Sequence, residues 1–267
     1  MIHPVQWWRD TRRRVRLVCT CGHLPEPPTE DAWRTMKKVA RRLVWLQIGG
    51  VEVSGREHLA GPAPKLIVPT HGHYLDPFVL GLLLPERARA MTASGLLGAA
   101  GGFCGLLLSS WGAFCTDLDA GKGAPALKSA VRVLTSGQTL LMFPEGWANM
   151  DGAVRPFKRG FASVARIAES RLGRPVPIVP IYLRYGRYPG PWIGKLPPTC
   201  QYLAMFFGLA IFRRGVHVIV GEPVPSSTLP RDPDLAAAAV RRVVLSLNPA
   251  PVTVGASPDF SGEAAPQ

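Results

Sequence analysis

Two strand-like apolar runs, Leu66-Ile67-Val68 and Leu140-Leu141-Met142, each end in a compact polar cluster. Thr70-His71-Gly72-His73-Tyr74-Leu75-Asp76-Pro77 follows the first and Phe143-Pro144-Glu145-Gly146 the second. Open α/β sheets build their sites just past the carboxyl ends of strands. This punctuation puts both clusters where such a sheet would build a site. Strand signals alternate with helix signals around them, which predicts one α/β domain.

Thr29-Glu30-Asp31 is a cap signal for a helix from about Ala32 to Ile48. On a helical wheel Trp33, Met36, Val39, Ala40, Leu43 and Val44 share one face, opposite Arg34, Lys37, Lys38, Arg41 and Arg42. A basic amphipathic helix with an aromatic on its apolar face suits a membrane interface. The alternative is a surface helix packed on the core with a solvated basic face. Further helices are expected from Pro77, capped by Asp76, to before Pro85, from Pro125 to Leu134, around Phe161–Ala168, and from Pro233 to Leu247. Strands are expected at Ile178–Leu183 and Val216–Val220. Ser94 to Cys115 carries no charge and is long enough to cross a bilayer. Its many glycines and its place between the two clusters favour a buried or shallowly inserted helix instead. Tyr202 to Phe212 is too short to span as a helix. The expected divisions are a basic aromatic segment at 1–49, the main domain at 50–248, and a disordered tail at 249–267 rich in Pro, Gly, Ser and Ala.

The chain has 267 residues, a formal net charge of +13 and 47% hydrophobic residues. Such a charge implies an anionic partner. A positive mean hydropathy of +0.12 favours a membrane surface over nucleic acid. No zinc spacing or RNP-like aromatic strand supports a nucleic-acid binder. Cys19, Cys21, Cys104, Cys115 and Cys200 form no CxxC pair and read as reduced thiols in a cytosol-facing protein. Trp7-Trp8 runs straight into Arg9 and Arg12-Arg13-Arg14, which is no signal-peptide pattern. The expected location is the cytoplasmic face of a membrane.

His71-x4-Asp76 supplies an imidazole that can take a proton near neutral pH and a carboxylate that can orient it. No G-x-S-x-G elbow occurs, so the base would act directly on a substrate hydroxyl. His73 is a second candidate base, three residues from Asp76.

Together the clusters resemble the glycerolipid acyltransferases typified by 1-acylglycerol-3-phosphate acyltransferase, over roughly residues 50–225. Val51-Glu52-Val53-Ser54-Gly55-Arg56-Glu57-His58-Leu59 resembles the family's lead-in, and His71-x4-Asp76 its motif I. Gly112-Ala113-Phe114 lies where motif II falls, and Phe143-Pro144-Glu145-Gly146 is similar to motif III. Val176-Pro177-Ile178-Val179-Pro180-Ile181 is similar to motif IV, and Gly221-Glu222-Pro223-Val224 to a common closing segment. The resemblance implies a single acyltransferase domain with a mixed sheet flanked by helices. It implies transfer of an acyl group from acyl-CoA or acyl carrier protein, as co-substrate, to a lysophospholipid hydroxyl, with no metal and no bound cofactor. His71 would be the base and Asp76 its holder. Phe143, Pro144, Glu145, Gly146 and Gly112 would bind substrate, and nearby backbone N–H groups would stabilise the oxyanion.

The chain departs from the family pattern at two cations. Asp117, or its neighbours Thr116 and Leu118, stands near the motif II arginine, and Trp147-Ala148-Asn149 replaces Thr-Arg-Ser after motif III. An aspartate would repel a phosphate, so Lys122, Arg155, Lys158 and Arg159 become the candidate phosphate ligands. An acceptor with another head group, or a non-catalytic lipid-binding relative, are the competing readings.

Overall fold

The computed structural model describes residues 22–248 apart from 62, 85–86, 95–96, 98–102, 117–122, 189–199 and 201–213, together with 17 and 20. The N-terminal tryptophans, Asp117, Lys122, the 202–212 patch and the 249–267 tail lie outside the described residues.

The central runs are apolar at every position because both faces of the sheet are covered. In β2 (Leu66–Pro69) and β5 (Thr139–Leu141), Ile67 and Leu141 point to one face. Leu66, Val68 and Leu140 point to the other. On the first face lie α1 (Glu30–Gln47) and α2 (Asp76–Leu83), with side chains from α3 (Phe103–Ser110) packed against them. On the second lie α4 (Ala124–Thr135), α5 (Gly160–Leu172) and α6 (Pro233–Ser246). With β1 (Val51–Ser54), β3 (Ala88–Ala93), β4 (Ala113–Thr116), β6 (Pro177–Tyr185), β7 (Val216–Val220) and β8 (Val224–Pro225), they form an eight-stranded sheet in the order β1-β7-β6-β2-β5-β3-β4, with β8 on β6. The sheet is mixed: β7 and β8 run antiparallel to β6, and the other pairs are parallel.

The register delivers the site. β2 and β5 are parallel neighbours, Leu66 beside Leu140 and Ile67 beside Leu141, so both polar clusters leave the sheet at the same edge. β6 flanks β2 on its other side and continues beyond Pro69 to Tyr185, carrying tyrosines past the first cluster.

Three expectations are corrected. The Ser94–Cys115 stretch is not one helix; it contains α3 and then β4, a core strand with Phe114 and Cys115 buried. Asp76 does not cap α2. Leu75 holds that position, and the Asp76 carboxylate turns into the core. The face of α1 assigned to a membrane interface is buried: Trp33, Met36, Ala40 and Val44 pack on the core beside α2. Thr29 caps α1 through its side chain to the N–H of Ala32 at 3.2 Å. Among the residues α1 leaves exposed are Trp45, Leu46 and the cations Arg34, Lys38, Arg41 and Arg42. No described helix is long and apolar enough to cross a membrane.

Gly112 also lies elsewhere than expected. It precedes β4, at the opposite end of the sheet from the two clusters, with φ of 101°. Its carbonyl accepts from the N–H of Ala90 at 3.2 Å and from Nε of the buried Arg89 at 3.0 Å. A Cβ there would sit 2.5 Å from the Ala88 carbonyl oxygen. Gly112→Ala should therefore cost about 2–4 kcal/mol of stability, from left-handed strain plus a backbone clash. Urea unfolding measures this, and a loss below about 0.5 kcal/mol would count against it.

Candidate active site

The first cluster folds around one buried carboxylate. Oδ2 of Asp76 lies 2.8 Å from Nδ1 of His71 and accepts the backbone N–H of His73 at 2.9 Å. Oδ1 accepts the hydroxyl of Tyr185, whose titration burial drives well above the usual phenol range. An ionised carboxylate only accepts, so His71 presents N–H at Nδ1. That leaves its Nε2 with a lone pair. His71 is 15% exposed, whereas Asp76 is fully buried. The Phe143 ring stacks on His71 with centroids 4.0 Å apart, so the second cluster fixes the plane of the imidazole.

Glu145 joins the clusters. Its Oε1 accepts the N–H of His71 at 2.8 Å, and its Oε2 accepts the N–H of Arg155 at 2.8 Å and Nδ2 of Asn149. The N–H of Asn149 in turn donates to the His71 carbonyl at 2.6 Å. Burial pushes the Glu145 carboxyl up to about 7, and these donors pull the other way. The expectation that Glu145 binds the acceptor meets a different geometry: both oxygens are used inside the protein. The backbone N–H groups of His71, His73 and Gly146 likewise donate internally.

His73 is fully buried between Tyr74 and Tyr185. Its Nδ1 accepts the N–H of Leu75 at 3.0 Å, and its Nε2 finds no partner. Burial lowers its pKa to about 4, with Asp76 opposing and His71 adding to the shift. Lys158 lies across Gly146, while Arg155 bonds Asp151 at 2.6 Å and Arg159 pairs with Asp234 at 3.3 Å. A shallow cleft lined by Thr70, His71, Gly72, Glu145, Tyr182 and Tyr188 opens beside the pair. Among the described residues no three His, Cys, Asp or Glu side chains converge as metal ligands.

Tyr185 and Asn149 escaped the sequence reading. Tyr185 lies 109 residues from Asp76, and only the β2–β6 pairing brings them together. Asn149 carried a signal, its place four residues past Glu145, but was read only as a departure from a motif.

An imidazole backed by a buried carboxylate thus lies at the carboxyl ends of parallel strands in an α/β protein. The Acyltransferase family model matches residues 50–184, and the chain belongs to that family. It is 27% identical over 178 residues to the 1-acyl-sn-glycerol-3-phosphate acyltransferase of Bacillus subtilis, covering 66% of this chain and 74% of that one. It is 32% identical over 139 residues to 1-acyl-sn-glycerol-3-phosphate acyltransferase alpha of Mus musculus, covering 50% of this chain and 45% of the mouse protein. The fold is similar to the crystal structure of the 1-acyl-sn-glycerophosphate acyltransferase PlsC from Thermotoga maritima. The TM-score is 0.57 at 20% identity, over 80% of this chain and 78% of the other.

The two shifted groups act on stability in opposite directions. His73 contributes stability that is full above pH 6.5 and is lost as pH falls toward 4. The Glu145 contribution is full below 4.5 and is lost as pH rises through 7. Asparagine at 73 can offer Oδ1 to the Leu75 N–H without titrating. Between pH 6.5 and 4, His73→Asn should therefore gain on the order of 1–3 kcal/mol relative to wild type. Urea midpoints across that range read the gain, and parallel curves would refute it.

Proposed function

We propose that this protein transfers a fatty acyl group from acyl-CoA or acyl carrier protein to the free hydroxyl of a lysophospholipid, with 1-acylglycerol-3-phosphate as the acceptor. The observation that carries this reading is the 2.8 Å contact from His71 Nδ1 to the buried Asp76, which leaves Nε2 to act as base. The names of the relatives support the acceptor.

In this mechanism Nε2 of His71 takes the proton of the acceptor hydroxyl as the oxygen attacks the thioester carbonyl carbon. Asp76 stabilises the imidazolium that forms. The tetrahedral intermediate collapses with cleavage of the C–S bond, and the departing thiolate takes the proton back from His71. No enzyme nucleophile, metal or bound cofactor enters these steps. Tyr185 is a positioning residue: its hydroxyl holds Asp76 in the rotamer that meets His71. His73, buried and engaged by the backbone, is a structural neighbour and not the base.

The acceptor is an amphiphile, so the protein works at an anionic membrane surface, on its cytoplasmic face. Exposed Trp45 and Leu46, at the end of α1 where Gln47 accepts from the Tyr74 hydroxyl, lie beside the first cluster. Trp147, 63% exposed, directly follows the second. Both positions suit contact with lipid around the mouth of the site.

Thiol release from acyl-CoA and lysophosphatidate in anionic vesicles tests the reaction. His71→Ala and Asp76→Asn should each lower kcat by about 10²–10⁴-fold, and Tyr185→Phe by about 10-fold. Full turnover in His71→Ala combined with loss in His73→Ala would reassign the base. A wild type that acylates no lysolipid would reject the enzyme, and one that prefers a different head group would replace the acceptor.

A further inference from the structure

We propose that the hydroxyl of Tyr182 stabilises the oxyanion of the tetrahedral intermediate, in the cleft it shares with His71. This rests on the acyl-transfer reading above.

Attack on a thioester leaves its oxygen negatively charged, and that charge needs a donor not already committed. The N–H groups of His71, His73 and Gly146 are spent on Glu145, Asp76 and the Phe143 carbonyl. The hydroxyls nearby differ among themselves. Tyr185 donates to Asp76 and Tyr188 to the Leu183 carbonyl at 3.4 Å, while Thr70 turns its Oγ1 back to the N–H of Leu183. Tyr182 is the exception. Its oxygen accepts Nδ2 of Asn248 at 3.1 Å, which leaves its own proton without an acceptor among the described residues.

Sheet register places this side chain. β6 pairs with β2 so that Ile181 lies beside Pro69, and one residue further Tyr182 comes beside Thr70, which precedes His71. Thr70 is clamped to both chain neighbours of Tyr182, through its N–H to the Ile181 carbonyl at 3.0 Å and through Oγ1 to the Leu183 N–H at 2.9 Å. The end of α6 fixes the phenol. Asn248 donates its N–H to the Leu245 carbonyl at 3.1 Å and turns its amide to the Tyr182 oxygen.

The cleft is small, about 180 Å³, and His71, Glu145 and Tyr182 all line it. In such a space a carbonyl attacked beside His71 has the phenol close by. Burial, and after it the charge of Glu145, raise the titration of Tyr182, with Asn248 and Arg184 opposing. The phenol therefore keeps its proton at neutral pH and can donate, whereas an ionised Glu145 only accepts. As the acceptor oxygen bonds to the carbonyl carbon, the carbonyl pair moves onto its oxygen, and Tyr182 donates a hydrogen bond there without losing its proton. On collapse that pair re-forms the carbonyl, the C–S bond breaks, and the thiolate takes the proton held by His71.

Initial rates of the full chain with acyl-CoA and lysophosphatidate in neutral detergent read this step. Tyr182→Phe should lower kcat by about 10²–10³-fold with KM little changed. Asn248→Ala, which frees the phenol oxygen, should lower kcat by about 3–10-fold and should add little on top of Tyr182→Phe. An unchanged kcat in Tyr182→Phe, or a loss confined to KM, overturns the proposal. A trifluoromethyl ketone analogue of the acyl thioester, tetrahedral as its hydrate, and the matching methyl ketone read the contact without turnover. Wild type should bind the first more tightly, and Tyr182→Phe should cut that ratio by about 10-fold or more. A ratio left unchanged by Tyr182→Phe overturns the proposal. Failure of wild type to acylate any lysolipid defeats the acyl-transfer reading instead, and the ketone ratio still decides the hydroxyl.

Discussion

The buried carboxylate of Glu145 is the interaction on which the rest of the site depends. Three donors converge on it, from His71, Arg155 and Asn149, and they belong to the first polar cluster and to the loop between the second cluster and α5. Removing it would strand buried N–H groups, each costing about 1–3 kcal/mol, and would free the backbone that carries the imidazole. The acid therefore works as a bracket between loops. Its raised titration is the electrostatic consequence of burial that these donors only partly offset.

Asp76 plays the matching part within the first cluster. It takes the N–H of His73, faces Nδ1 of His71, and accepts the Tyr185 hydroxyl from β6. The bonds to His71 and His73 are local and are permitted by the tight turn that starts α2. The bond from Tyr185 exists because β6 runs past the end of β2, with Thr70 clamped to it on the way. The Thr70 N–H donates to the Ile181 carbonyl at 3.0 Å, and the Leu183 N–H donates to Oγ1 of Thr70 at 2.9 Å. Sheet register thus sets the geometry of the imidazole.

These bonds explain what could be read in the sequence. Local patterns were legible: the cap and stripe of α1, the places of α4, α5 and α6, the apolar runs of β2 and β6, and the pairing of His71 with Asp76 five residues apart. Strand β3 was not, because Ala88-Arg89-Ala90-Met91-Thr92-Ala93 lacks the β-branched run that marks a strand. Its burial of Arg89 depends on carbonyls from Gly112 and Pro25. The destination of an amphipathic face was equally illegible. The wheel of α1 shows an apolar stripe, but its period is the same for a helix facing lipid and a helix facing a core. Only the pairing of α1 with α2 decides which surface it meets.

The opposite orientations of Glu145 and Lys158 follow from one turn. Residues 143–146 close around the positive-φ glycine, which directs the Glu145 side chain inward to the His71 backbone and leaves the outer side bare. Lys158, tied to the Pro144 carbonyl, fills that bare side. Inside, the carboxylate is held by protein N–H groups; outside, the Lys158 ammonium lies on the exposed side of the turn. The turn separates by direction two charges that sequence alone places together.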